Sequence, residues 1–111
     1  MIEIEVDRRE SGIGVVVPKG RLNMVSARQL KELLAELVSS GSTRVVVDLA
    51  ETTFLDSSGL GAIIAGLKSA RQAGGDLRIA RPTATVLTVF QLTNMDKVLR
   101  PRDDVDTAFD D

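Results

Sequence analysis

Cysteine and histidine are both absent from the 111 residues, as are tryptophan and tyrosine; three phenylalanines are the whole aromatic content. Without cysteine there is no disulfide framework and no thiolate metal site, and without histidine a zinc site or an imidazole general base is excluded as well. So few aromatics leave little for stacking on bases. Lysine and arginine are scattered rather than clustered and the net charge is −2, so nothing marks a nucleic-acid partner. No apolar run approaches the ~20 residues of a bilayer span. The opening Met1-Ile2-Glu3-Ile4-Glu5-Val6 is too acidic for a signal peptide. A cytoplasmic chain without membrane insertion is expected. What is present is an ordinary globular composition, 43% apolar and 27% charged, at a length that makes residues 1–111 one domain.

Residues 2–6 alternate apolar and acidic, the period of a strand with one wet face. A second apolar stretch, Ile13 to Val17, is closed by Pro18, and the short link between the two predicts a hairpin at a sheet edge. Lys19-Gly20-Arg21-Leu22-Asn23 reads as a turn. From Val25 to Ser39 the period changes to that of a helix, with Leu30, Leu33, Leu34 and Leu37 on one face, a cap at Ser26 or Asn23, and Gly41 as its end. Val45-Val46-Val47 is a β-branched run typical of a strand buried on both faces. A second helix follows Asp56-Ser57-Ser58-Gly59, its stripe made by Leu60, Ile63, Ile64 and Leu67, and Gly74-Gly75 stops it. Leu77 to Ala80 is a strand. Pro82 suits the first position of a third helix that turns Val86, Val89 and Phe90 inward, and Asn94 is a left-handed stop. Val98-Leu99 reads as a short last strand and residues 103–111 as a final short helix. The order β-β-α-β-α-β-α-β-α predicts an α/β domain, a mixed, mostly parallel sheet with crossover helices.

Catalytic candidates are few. Asp48, Glu51 and Asp56 fall near the end of the third strand, where ligands bind in α/β folds, but carboxylates in a loop before a helix ordinarily cap it or are solvated. No nucleophile–base pair accompanies them, so no catalytic residue is assigned, and no spacing motif supports a metal or other cofactor. Ser58-Gly59-Leu60-Gly61-Ala62-Ile63 lacks the third glycine and the lysine of nucleotide-binding loops. The Asp56-Ser57-Ser58-Gly59 turn is the most informative segment. Only one of its three oxygen-bearing side chains can cap the helix; the others remain as polar groups beside a helix N-terminus, where a phosphate is electrostatically welcome.

The run Val47-Asp48-Leu49-Ala50-Glu51-Thr52-Thr53-Phe54-Leu55-Asp56-Ser57-Ser58-Gly59-Leu60-Gly61-Ala62 resembles the signature of the STAS family, the sulfate-transporter and anti-sigma-antagonist domain. Gly20-Arg21-Leu22-Asn23 resembles its G-x-L-(D/N) turn, Gly74-Gly75-Asp76-Leu77 its glycine pair before a strand, and Leu92-Thr93-Asn94-Met95 its L-T-G-L segment. Asn23 stands where an Asp is often found and Asn94 where a Gly is frequent. The resemblance implies an anti-sigma factor antagonist, a binding protein rather than an enzyme. Its partner would be an anti-sigma factor with serine kinase activity, which MgATP and phosphorylation of Ser57 would release, and a serine phosphatase would restore it. On that resemblance Asn23, Asp56, Ser57, Ser58, Gly59, Leu60 and Gly61 form the partner-binding surface. The alternative is a STAS scaffold or regulatory subunit of a signalling or lipid-transport ABC complex, in which phosphorylation plays no part.

Overall fold

The computed structural model describes residues 1–110, which form one mixed sheet with its helices gathered on one face. Strand β1 (Glu3–Arg8) pairs antiparallel with β2 (Ile13–Leu22) through a tight connection that contains a single 3-10 turn, the expected hairpin. Helix α1 (Met24–Ser39) leads to β3 (Arg44–Asp48), which lies parallel to β2; β4 (Thr52–Leu55), α2 (Ser57–Gln72) and β5 (Asp76–Ala80) follow. Helices α3 (Ala84–Leu92) and α4 (Asp96–Leu99) complete the regular structure. The sheet order is β1-β2-β3-β5, with β4 pairing the far end of β2.

Several segments depart from the sequence reading. Pro18 does not close the second strand: β2 runs on to Leu22, so residues 19–22 are strand rather than turn. The proline is tolerated because β2 changes partner there, pairing β3 through residues 13–16 and β4 through residues 20–22. Gly20, at φ +116°, takes up the register shift of that change. Val98-Leu99 is the end of α4, not a strand, and the fifth strand is β4 instead. Residues 103–109 form turns rather than a helix. Pro82 also lies outside α3, whose cap is Thr83.

The alternation along each strand divides the interior in two. Val16, Val45, Val47, Leu77 and Ile79 face the helices and pack on Leu30, Leu34, Leu37, Ile63, Leu67 and Phe90, the main core. Leu33 and Ile64, on the margins of their stripes, are only half-buried. On the other face, Val15, Val17, Val46 and Ala80 are covered by Val105, Ala108 and Phe109 of the C-terminal segment. The Val45–Val47 run is therefore buried on both faces as its composition predicts, but no crossover helix covers the second one. That segment is held by the Arg9–Asp106 ion pair at 2.6 Å and by Arg78, which donates to the Ala108 carbonyl at 2.9 Å and stacks on the Phe109 ring.

Candidate functional site

Two strand-to-helix turns meet at the C-terminal ends of β2 and β4. Leu22 and Leu55 are register partners in the parallel pair, and the Asp56 amide donates to the Leu22 carbonyl at 3.2 Å. The residues that follow, Asn23 and Asp56, therefore stand side by side, each as the cap of its helix. The Asn23 side chain accepts from the amides of Val25 (3.1 Å) and Ser26 (3.2 Å), while the Ser26 hydroxyl accepts from the Asn23 amide at 3.0 Å and donates to the Arg21 carbonyl at 2.5 Å. The two caps left open at α1 thus resolve to Asn23, with Ser26 as the reciprocal member of a capping box.

At α2 the cap is Asp56, whose carboxylate accepts from the Gly59 amide at 3.0 Å. The Ser57 and Ser58 amides have no partner among the described residues, and neither do their hydroxyls. Ser57 is exposed and Ser58 half-buried. An exposed hydroxyl thus sits beside unpaired N–H donors at the positive end of a helix of 16 residues, an environment suited to a covalently attached phosphate.

Gly59 lies beneath this surface. A Cβ there would come within 2.7 Å of the Leu22 carbonyl and 2.8 Å of a Leu55 methyl, so glycine is what lets α2 descend onto the ends of β2 and β4. Leu60 is buried in the main core. Gly61 is exposed with open space where a side chain would project, and it borders a groove between α1 and α2 together with Arg28, Lys31, Glu32 and Ser58. Of the residues singled out in the sequence, Asn23, Asp56, Ser57, Ser58 and Gly61 share this end of the molecule, while Gly59 and Leu60 support it from within.

The carboxylates near the end of β3 have separate duties. Asp48 is buried and paired with Arg81 through two contacts, Nε to Oδ1 at 3.2 Å and a second guanidinium nitrogen to Oδ2 at 2.5 Å; Oδ1 also accepts from the Ala50 amide. The hydrogen bond and the charge of Asp48 raise the pKa of the Arg81 guanidinium above its ordinary value. Asp48 thereby ties the loop after β3 to the loop after β5. Glu51 is exposed.

The STAS domain model matches residues 4–108. The chain belongs to that family. Among its relatives, the anti-sigma-B factor antagonist of Bacillus subtilis is 26% identical over 98 residues, which span 88% of each chain. The structure of an anti-sigma factor antagonist from Mycobacterium paratuberculosis superposes with a TM-score of 0.84 at 25% identity, covering 97% of this chain and 91% of that one. Unphosphorylated SpoIIAA has the same STAS fold, with a TM-score of 0.84 at 19% identity and coverage of 97% and 94%. The phosphorylated form of the Bacillus SpoIIAA gives 0.76 at 18%, covering 97% of each chain.

Two neighbours of the site were missed in the sequence. Met24 and Val25 form the first turn of α1 and are 74% and 62% exposed. The signal was available: at about 100° per residue, both point more than about 90° away from the Leu30–Leu34–Leu37 stripe.

Proposed function

We propose that this protein is an anti-sigma factor antagonist: its unphosphorylated form binds an anti-sigma factor with serine kinase activity and frees a sigma factor, and phosphorylation of Ser57 ends that binding. The observation that carries the reading is the exposed, unengaged Ser57 hydroxyl at the start of α2, in a chain of the STAS family. Relatives named as anti-sigma factor antagonists support the role, and SpoIIAA, which shares the fold, has been solved with and without phosphate.

The physics of the switch follows from the helix end. Transfer of a phosphoryl group from MgATP to the Ser57 oxygen, with loss of the hydroxyl proton and departure of ADP, adds about −1.5 to −2 charge. Within the free protein the helix N-terminus offsets some of that, by up to ~1 kcal/mol, so the fold persists. At a docked surface the same charge would be desolvated next to the Asp56 carboxylate, at a cost of several kcal/mol. A serine phosphatase would reverse the state. The chain acts by binding and as a kinase substrate, not as a catalyst.

Intact-mass measurement after incubation with a candidate anti-sigma factor kinase and MgATP tests this directly. One phosphate on the wild-type chain and none on Ser57→Ala is expected. Phosphate on Ser57→Ala but not on Ser58→Ala would move the acceptor by one residue, and no phosphate with any such kinase would defeat the switch.

A further inference from the structure

Met24 and Val25 are costly to display and nothing inside the fold requires them. In the first turn of α1 the packing is done by Ser26 and Ala27, both buried, while the two large apolar side chains before them stand in solvent. They account for two of the five large apolar side chains exposed among the described residues, and they are adjacent. Exposed apolar groups scattered singly need no explanation, whereas a contiguous pair at a surface of other interest does.

Their position relative to Ser57 follows from the pairing of the strands. Because Leu22 and Leu55 are in register and the Asp56 amide bonds the Leu22 carbonyl, the first turns of α1 and α2 make one continuous surface. Met24 is the first residue after the Asn23 cap and Ser57 the first after the Asp56 cap. Arg28, one turn along α1, borders both the depression beside Met24 and Val25 and the groove that contains Ser58 and Gly61. Ala27, Ala35, Gly61 and Ala62 keep the floor of that groove slim, with Lys31 and Glu32 side by side on its rim.

We infer that Met24 and Val25 are the apolar anchor by which this chain holds its anti-sigma factor, in a partner pocket that is apolar and flanked by a carboxylate facing Arg28. The inference rests on the proposed function and divides it into parts: Met24 and Val25 supply affinity and partner choice, and Ser57 supplies the switch. The occupant is a protein surface because two adjacent aliphatic side chains bind by excluding water from a complementary pocket, and Arg28 beside them selects a carboxylate on its rim. A phosphate one helix away hydrates the ground on which the anchor must become dry, which couples the switch to the anchor.

The test uses the full-length chain and the anti-sigma factor kinase that phosphorylates it, with Kd measured by titration calorimetry for the wild type, Met24→Ser/Val25→Ser, Val98→Ser and Ser57→Asp. Val98 is the control, an exposed apolar side chain that borders the cleft beside Arg71 in the last turn of α2, the opposite end from Ser57. The double variant should retain the wild-type circular dichroism and bind at least about tenfold more weakly, as loss of a hot-spot contact does. Val98→Ser should bind like the wild type. KM for phosphorylation of the double variant should rise with Kd at unchanged kcat, since the anchor is held alike before and during transfer. Met24→Gln, closer in shape and helix propensity, gives the same readout should the double variant melt early. Wild-type affinity in the double variant, with Ser57→Asp weakened, overturns the anchor and leaves the switch standing. Equal affinity of wild type and Ser57→Asp overturns the switch, and a wild-type chain that binds no such kinase overturns both.

Discussion

Asn23 leaves β2 at φ −103° and ψ −169°, and Asp56 leaves β4 at φ −103° and ψ −173°, so α1 and α2 begin from the same backbone. The two starts nevertheless differ in what they leave open. At α1, one amide side chain takes two backbone donors and Ser26 answers it, so the turn is closed by its own residues. At α2, the carboxylate takes only the Gly59 amide, and two donors and two hydroxyls remain for something else. The group that Ser26 serves at α1, the amide of the cap residue, is already taken at α2, where the Asp56 amide donates to the Leu22 carbonyl. Glycine stands at the third helical position of α2 because the ends of β2 and β4 leave no room for a side chain. The openness of the turn at Ser57 comes from its cap: the Asp56 carboxylate takes one amide where the Asn23 side chain takes two, so the same backbone start leaves more donors free at α2 than at α1.

The sharpest way to break this comparison is to place charge on the open turn. Ser57→Asp should lower affinity for the kinase by about 100-fold or more, because a carboxylate would be desolvated at the interface, while the melting temperature stays within about 2 °C of wild type. Calorimetric titration beside a thermal melt reads both; unchanged affinity would remove charge from the mechanism.

Next in size are the two glycines of α2. Gly59→Ala should destabilise by about 1–3 kcal/mol, since the clash with the Leu22 carbonyl outweighs the helix preference for alanine. Gly61→Ala, in open space on the same helix, should stabilise by up to ~1 kcal/mol. Urea denaturation compares them, and shifts of the same sign in both would mean that packing does not dictate Gly59.

The caps should differ by less. Asn23→Ala, which loses two side-chain hydrogen bonds but keeps those of the Ser26 hydroxyl to the backbone, should cost about 1–2 kcal/mol; Asp56→Ala, which loses one, should cost about 1 kcal/mol. Equal losses would show that the second hydrogen bond of the Asn23 side chain contributes nothing. Smallest of all, Asp56→Asn keeps the acceptor and removes the charge, and it should shift stability by only a few tenths of a kcal/mol, up to ~1, in a salt-dependent way. A larger loss that salt does not change would place the effect in geometry rather than charge.

Much of this site was legible in the residues themselves. A leucine stripe, a glycine stop and a capping residue are local features with local causes, so α1 and α2 fall close to their expected bounds and Asn94 takes its left-handed conformation at φ +59°. The choice of Asp56 over Ser57 and Ser58 as the cap was not legible, because all three side chains can accept and the sequence does not say where β4 ends. The exposure of Met24 and Val25 was available in the helical phase but carried no weight until their proximity to Ser57 was known.

By itself the sequence determined the periods of its helices, the two-sided burial of Val45–Val47 and the family signature around Ser57, all of which are written in residues close together along the chain. Only the tertiary structure decided that Thr52–Leu55 is a strand, that Pro18 lies within β2, that Val98-Leu99 closes a helical turn, and that residues 105–109 roof the second face of the sheet. The physical reason is shared. A strand of four residues has too little pattern of its own, and its ladder is completed by Gly20, Arg21 and Leu22, about thirty positions earlier. The roof exists because Val15, Val17 and Val46 must be covered by something, and the arginines that hold it, Arg9 in the β1–β2 connection and Arg78 on β5, are distant in sequence from the segment they bind.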